Sequence, residues 1–251
     1  MAHNFIWYEL AATDKPAAEA FYKEIVGWTL QRHEGGIDYT VLEARDGQVG
    51  GIGAVPEEPW ARPGWSGYVG VDDVDAVAAR ITRAGGSIVR PPDDIPGVGR
   101  FAVVADPQGV RFMLLRGSVP DHAPPQAFKP NTPGHIGWNE LHTTDWKAGF
   151  KFYAELFGWE KIEAMDMGAM GTYQIFGIDG APIGGRMNSP NIPDPTWLFY
   201  VIVDDFDAAH RRVVDHGAAV VHGPAQVPGG SWIVQATDPH GVLFAVVGPR
   251  K

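Results

Sequence analysis

The chain has 251 residues, a formal net charge of −10 at pH 7 and no cysteine; disulfides, thiolate metal sites and a thiol nucleophile are therefore excluded. The acidic balance argues against nucleic acid or an anionic membrane as partner. A 45% hydrophobic, 20% charged composition suits two globular domains of ordinary size, with no apolar run long enough to span a membrane and no secretion signal in Met1 to Phe5, so the cytoplasm is the expected compartment.

Residues 5–11 alternate as a strand, which puts Trp7 and Glu9 on one face. Thr13-Asp14 offers a helix N-cap with Pro16 in the first turn. The helix runs to Val26, with Ala18, Phe21, Tyr22 and Ile25 spaced as one buried face, and Gly27 stops it. Strands are expected over 28–33, 39–43 and 49–55. The order β-α-β-β-β then recurs. Residues 65–71 read as a strand, and Asp72-Asp73 caps a helix whose apolar face is Val74, Val77, Ala78 and Ile81. Gly85-Gly86 ends that helix, and strands over 87–90, 100–105 and 110–116 follow. Asp106-Pro107-Gln108-Gly109 has the composition of a type I turn. Residues 118–134, rich in proline, read as a semi-rigid linker between a first domain at 1–117 and a second at 135–251.

The second domain retraces the first. Trp138-Asn139-Glu140-Leu141, Thr144-Asp145, Phe152-Tyr153 and Gly158-Trp159 repeat Trp7-Tyr8-Glu9-Leu10, Thr13-Asp14, Phe21-Tyr22 and Gly27-Trp28 at a constant offset of 131, with 11 of 22 aligned positions identical. Tyr39/Tyr173, Gly50-Gly51/Gly184-Gly185, Trp65/Trp197, Tyr68/Tyr200 and Phe112/Phe244 also correspond. Asp204-Asp205 caps another helix, with Phe206, Ala209, His210 and Val213 on one face, and Asp238-Pro239-His240-Gly241 repeats the turn. The chain is a tandem repeat holding four βαβββ modules.

An opening strand followed by T-D, an F-Y helix, G-W, a V-D-D-x-D-A helix and D-P-x-G resembles the vicinal oxygen chelate superfamily, which includes glyoxalase I, extradiol dioxygenases and bleomycin-binding proteins. The resemblance implies an α+β fold of two tandem glyoxalase-like domains, each of two paired βαβββ modules forming a cupped mixed sheet around a small-molecule ligand or substrate. It also implies a divalent metal held from the opening, fifth and last strands. Those positions correspond here to Trp7, Ser66 and Met113 in the first repeat and Trp138, Leu198 and Ala245 in the second. All six are poor or impossible ligands for such an ion, and Met113 would suit only a soft metal. The expectation is therefore no metal and no other cofactor. A displaced site is the alternative, with Glu140 and His142 two apart on one strand face; against it, His142 can simply end the strand in solvent.

What remains is chemistry without the metal. Glu9 and Glu140 are the candidate catalytic residues. Each stands two residues from a tryptophan on a strand face, where a desolvated carboxylate can act as general acid or base, or can accept from a ligand's hydroxyl, amine or guanidinium group. It can equally be satisfied by backbone or by an arginine such as Arg100. Trp7, Tyr39, Trp65, Tyr68, Arg100, Trp138, His142, Tyr173, Trp197, Tyr200 and Trp232 are the candidate ligand-binding residues, since aromatic surfaces suit flat or cationic ligands. Glycine clusters at 96–100 and 228–232 lack a following helix and do not cradle phosphate. Two classes of function stay open, a binding or sequestering module and an enzyme, the latter either a metal-free acid–base catalyst using Glu9 or Glu140 or, as the resemblance implies, a metal-dependent lyase or dioxygenase with displaced ligands. The partners expected are a small molecule, no nucleic acid and no membrane, in a monomer with internal domain pairing or a homodimer.

Overall fold

The structure, a computed structural model, describes residues 3–33, 37–118, 127–188 and 194–251. Pro120, Pro124 and Pro125 of the expected linker lie outside the described residues.

The first repeat contains β1 (Phe5–Ala12), α1 (Lys15–Val26), β2 (Thr29–Arg32), β3 (Tyr39–Ala44), β4 (Gly47–Ala54), β5 (Gly64–Gly70), α2 (Val74–Arg83), β6 (Ser87–Ile95), β7 (Gly99–Ala105) and β8 (Arg111–Gly117). The second contains β9 (Ile136–Thr143), α3 (Trp146–Phe157), β10 (Glu160–Asp166), β11 (Thr172–Ile178), β12 (Ala181–Asn188), β13 (Thr196–Ile202), α4 (Phe206–Asp215), β14 (Ala219–Gln226), β15 (Trp232–Thr237) and β16 (Leu243–Gly248). Each repeat forms one eight-stranded mixed sheet, in the orders β2-β3-β4-β1-β5-β8-β7-β6 and β10-β11-β12-β9-β13-β16-β15-β14. In every module whose register is defined on both sides the first strand runs parallel to the fourth, as in β1 with β4 and β9 with β12, while the hairpin strands pair antiparallel.

Local chemistry explains the helix boundaries. Asp14, Asp73, Asp145 and Asp205 each sit in extended backbone and accept from amides of the first helical turn, which satisfies donors that the helix leaves free. Gly27 and Gly158 end α1 and α3 in the left-handed region, at φ 85° and 73°, where any side chain would be strained.

Compactness cuts across the repeats. The chain divides into unit 1 (Met1–Ile6, Ser66–Pro124 and Asn139–Trp197) and unit 2 (Trp7–Trp65, Pro125–Trp138 and Leu198–Lys251). Within each unit, the doubled motifs of the sequence bond to each other. In unit 2 the Tyr22 hydroxyl of α1 donates to Asp238 of the D-P-x-G turn at 3.1 Å. In unit 1 the Tyr153 hydroxyl of α3 donates to Asp106 of the other such turn at 3.2 Å. The G-W tryptophans are used in the same way: Trp28 Nε1 donates to Gly134 O at 2.7 Å in unit 2, and Trp159 Nε1 to His3 O at 2.8 Å in unit 1. Arg212 caps the end of α1 through Ile25 O, and Arg80 caps α3 through Glu155 O and Leu156 O.

In unit 2 the described part of the linker is fastened by charge. Asp46 pairs with Lys129 and, at 2.7 Å, with His135 Nε2. These two partners, Lys129 first, hold the Asp46 carboxyl down at about 2. A carboxylate depressed in the folded state stabilises above its unfolded value near 4 and loses that contribution as pH falls toward 2. Asp46→Asn is expected to melt below the wild type at pH 6, with the gap closing between pH 4 and pH 2. A gap that is flat with pH would refute the pairing.

Candidate functional site

The β1–β3–β4 face of unit 2 carries the first repeat's set. Trp7 Nε1 donates to the Tyr39 hydroxyl at 2.9 Å, and that hydroxyl in turn bonds to Glu9. Burial, then the Glu9 charge, pushes the Tyr39 hydroxyl well above the ordinary phenol value. It therefore stays protonated as a donor to the carboxylate. The ring lies flat over Gly51, where a Cβ would come within 2.1 Å of its hydroxyl oxygen.

The β9–β11–β12 face of unit 1 carries the second set, and it differs. The Tyr173 hydroxyl donates to Glu140 Oε2 at 2.7 Å, again with the ring over a glycine, Gly185. Here His142 takes the place of Ala11. Its Nε2 stands 2.8 Å from Glu140 Oε1, close enough for an ion pair though out of line for a hydrogen bond, and among the described residues its Nδ1 has no hydrogen-bond partner. Glu140 is 6% exposed and His142 2%. His142 therefore does not end the strand in solvent. Met187, opposite it in register on β12, is also buried.

Gly51 and Gly185 were visible in the sequence only as matching pairs. Their role is to let a tyrosine ring approach the backbone. A Gly185→Ala side chain would meet two Tyr173 ring atoms and the hydroxyl oxygen at 2.2–2.3 Å. The far end of a tyrosine can swing away, so the fold is expected to survive while Tyr173 leaves Glu140. The variant should then match Tyr173→Phe in every ligand-binding measurement. A Gly185→Ala protein that binds like the wild type would show the close approach to be incidental.

The remaining candidates are placed elsewhere. Trp65 is core: its Nε1 donates to the Tyr22 hydroxyl at 3.0 Å and its ring packs on Tyr22 and Trp28. Trp197 is its counterpart, buried edge-on against Tyr153 and Trp159 and bonded to the Tyr153 hydroxyl. Trp232 packs under Arg250, 3.6 Å from the guanidinium carbon, and near Phe206 of α4. Arg100 is committed to Asp75 of α2 and to Asp94, with contacts of 2.6 to 3.2 Å, and is not the partner of Glu9. These four leave the aromatic site because each faces a helix or a salt bridge. Tyr68 and Tyr200 are buried, and Tyr200 accepts from Gln235 Nε2 at 2.6 Å. Trp138 is partly exposed on β9.

Met113, a position that carries the metal in the resemblance, pairs with Tyr68 across β5 and β8, and Ala245, its counterpart, with Tyr200 across β13 and β16. Met113 and Ala245 thus lie on β8 and β16, the last strand of each repeat. Of these and Trp7, Trp138, Ser66 and Leu198, only the neutral Ser66 hydroxyl is a hard donor, and it is a weak one that stands without a carboxylate or imidazole among the six. Among the described residues, no three His, Asp or Glu side chains gather to hold an ion. The residues present do not fit the metal of the resemblance.

Compared with known proteins, residues 4–114 and 133–246 match the Glyoxalase/Bleomycin resistance protein/Dioxygenase superfamily. The chain belongs to this superfamily. Among relatives of this superfamily chain, a candidate glyoxylase of Mycobacterium tuberculosis, CFP32, is 31% identical over 97% of this chain and 94% of its own length. The anthracycline biosynthesis protein DnrV of Streptomyces peucetius is 32% identical, covering 98% and 93%. Two solved structures share the fold. The Mn(II)-bound glyoxalase of Novosphingobium aromaticivorans has a TM-score of 0.64 at 18% identity, covering 100% of this chain and 82% of that one. The 2,2',3-trihydroxybiphenyl 1,2-dioxygenase of Sphingomonas wittichii has a TM-score of 0.66 at 14% identity, covering 98% and 89%. Among the described residues no helix is long and apolar enough to cross a membrane.

Proposed function

We propose that this glyoxalase-superfamily protein binds a small organic molecule on the two tyrosine–glutamate faces, without a divalent metal and in the cytoplasm. The observation that carries the reading is the buried Glu140 carboxylate, held by Tyr173 at one oxygen and beside His142 at the other. A fixed, desolvated carboxylate recognises a donor on a ligand far better than a solvated one. The equivalent Glu9–Tyr39–Trp7 set offers a second, more exposed place. The likeness to DnrV, together with the aromatic lining, supports a flat polycyclic ligand. The net charge of −10 supports a neutral or cationic one over nucleic acid or membrane. The protein acts as a monomer with internal repeat pairing or as a homodimer.

A second reading is favoured by the Glu140–His142 approach: metal-free acid–base catalysis, in which Glu140 moves a proton to or from a bound substrate. Titration with an anthracycline aglycone, followed by tryptophan fluorescence, tests the binding. Saturable quenching at 1:1 or 2:1 is expected. Elemental analysis of the purified protein tests the rest. A stoichiometric divalent metal, stripped by chelator with loss of binding, would overturn the metal-free reading. Loss of the aglycone's quenching in Tyr173→Phe with unchanged melting supports the assigned face.

A further inference from the structure

On the opposite face of β12 from Gly185, Arg186 points beneath α3. It is 1% exposed, among the most deeply buried side chains in the molecule. Its guanidinium carbon lies 3.8 Å from the ring centre of Phe150 and 5.4 Å from that of Phe176. Among the described residues it makes no ion pair, and neither Nε nor Nη2 has a hydrogen-bond partner. Those two nitrogens form one edge of the guanidinium, the edge that takes both oxygens of a carboxylate in parallel. Burial depresses the group to about 9.

Folding alone does not call for an arginine here. The structural counterpart in the first repeat is Ile52: Leu10 pairs with Ile52 across β1 and β4 as Leu141 pairs with Arg186 across β9 and β12. Ile52 is fully buried. The same strand position under the equivalent helix thus accommodates an apolar side chain, and a lone buried cation is costly by comparison. The aromatic contacts stabilise the faces of the guanidinium and leave its edge without an acceptor. Phe150, itself buried, is the layer above it, and the exposed Lys161 ammonium lies over the same ring at 5.2 Å. A surface cation and a buried cation therefore share one phenyl ring.

We propose that Arg186 is the floor of a carboxylate-binding site beneath α3. A small organic monocarboxylate is drawn in by Lys161, admitted as Phe150 swings aside, and held bidentately by Nε and Nη2. The site is separate from the Glu140 face, which points the other way from β12, and does not depend on the function proposed there.

The test uses the full chain with acetate as probe, at constant ionic strength against chloride. In the wild type, the thermal midpoint rises with acetate and the Arg186 Nε resonance moves in nitrogen-edited NMR. Arg186→Lys keeps the charge but not the fork, and is expected to lose at least tenfold of the acetate affinity. Arg186→Met is expected to melt above the wild type in chloride and to show no response to acetate. An equal acetate response in wild type and Arg186→Lys would overturn the proposal, as would no movement of the Nε resonance up to saturating acetate. A response to phosphate but not to acetate would overturn the carboxylate assignment. If Arg186→Met does not fold, the wild-type resonance and the lysine variant still decide the matter.

Discussion

Asp106→Ala is expected to destabilise the protein by about 3 kcal/mol or more, a fall in melting midpoint of about 6–12 °C for a chain of this size. One carboxylate does three jobs. Oδ1 accepts from the amides of Gln108 and Val110 and so forms the turn, and Oδ2 accepts from the Tyr153 hydroxyl of α3. Removing it leaves a wholly buried phenol without its acceptor. Each such orphan costs about 1–3 kcal/mol. Burial also pushes the Asp106 carboxyl up, so the native arrangement carries a desolvation cost, and the loss is smaller than the sum of the three bonds. Tyr153→Phe removes the bonds of that hydroxyl to Asp106 and Trp197 but leaves the two amide bonds of the turn, and should cost less than Asp106→Ala. Chemical denaturation of both variants checks the ordering. An Asp106→Ala protein within about 0.5 kcal/mol of wild type would show that the turn and α3 do not rely on each other.

Glu140→Gln is expected to weaken the binding of the aromatic probe by about 10- to 100-fold, the size of one charge-assisted hydrogen bond. Glutamine keeps the shape and can still accept from Tyr173, so the melting curve should stay close to wild type. Glu9→Gln should cost less, because Glu9 is more exposed and lacks a histidine neighbour. Isothermal titration of the two variants decides the ranking. If Glu9→Gln abolishes binding and Glu140→Gln leaves the dissociation constant unchanged, the site belongs to the first repeat instead. Under the acid–base reading, Glu140→Gln would abolish turnover while a bound ligand is retained.

The modules could be read from sequence because their punctuation is chemically demanding. An aspartate cap, a left-handed glycine and an Asp-Pro-x-Gly turn each have few substitutes, and their recurrence located all four helices to within a residue or two. β6 was expected to stop at residue 90, ahead of Pro91-Pro92, but it continues to Ile95. It is an edge strand with register shifts between Arg90 and Asp93, and an edge with bulges tolerates proline that a central strand would not. The pairing of Glu140 with Tyr173 followed from residues that were already singled out. Which aromatics face it did not. Trp65 and Tyr68 lie three apart on one strand, so they occupy opposite faces, and either parity was consistent with the pattern. Arg186 drew no notice, since a single arginine after Gly184-Gly185 reads as an ordinary surface charge until α3 is seen to cover it.

The bond from Tyr22 to Asp238 spans 216 positions, whereas that from Tyr153 to Asp106 spans 47. During synthesis the two units therefore cannot mature together. Unit 1 has all of its chain once Trp197 has left the ribosome, but Arg212, Asp238 and Phe244, which complete the packing of α1, lie beyond Leu198. The earliest-made part of the protein, Trp7–Trp65, is thus the last to complete its core. Until the final strands emerge, Phe21 and Tyr22 stay uncovered by Phe244, a long exposure of apolar surface in a nascent chain. Chains stalled shortly after residue 197 should resist protease in the segments of unit 1 while remaining open to cleavage within residues 7–65.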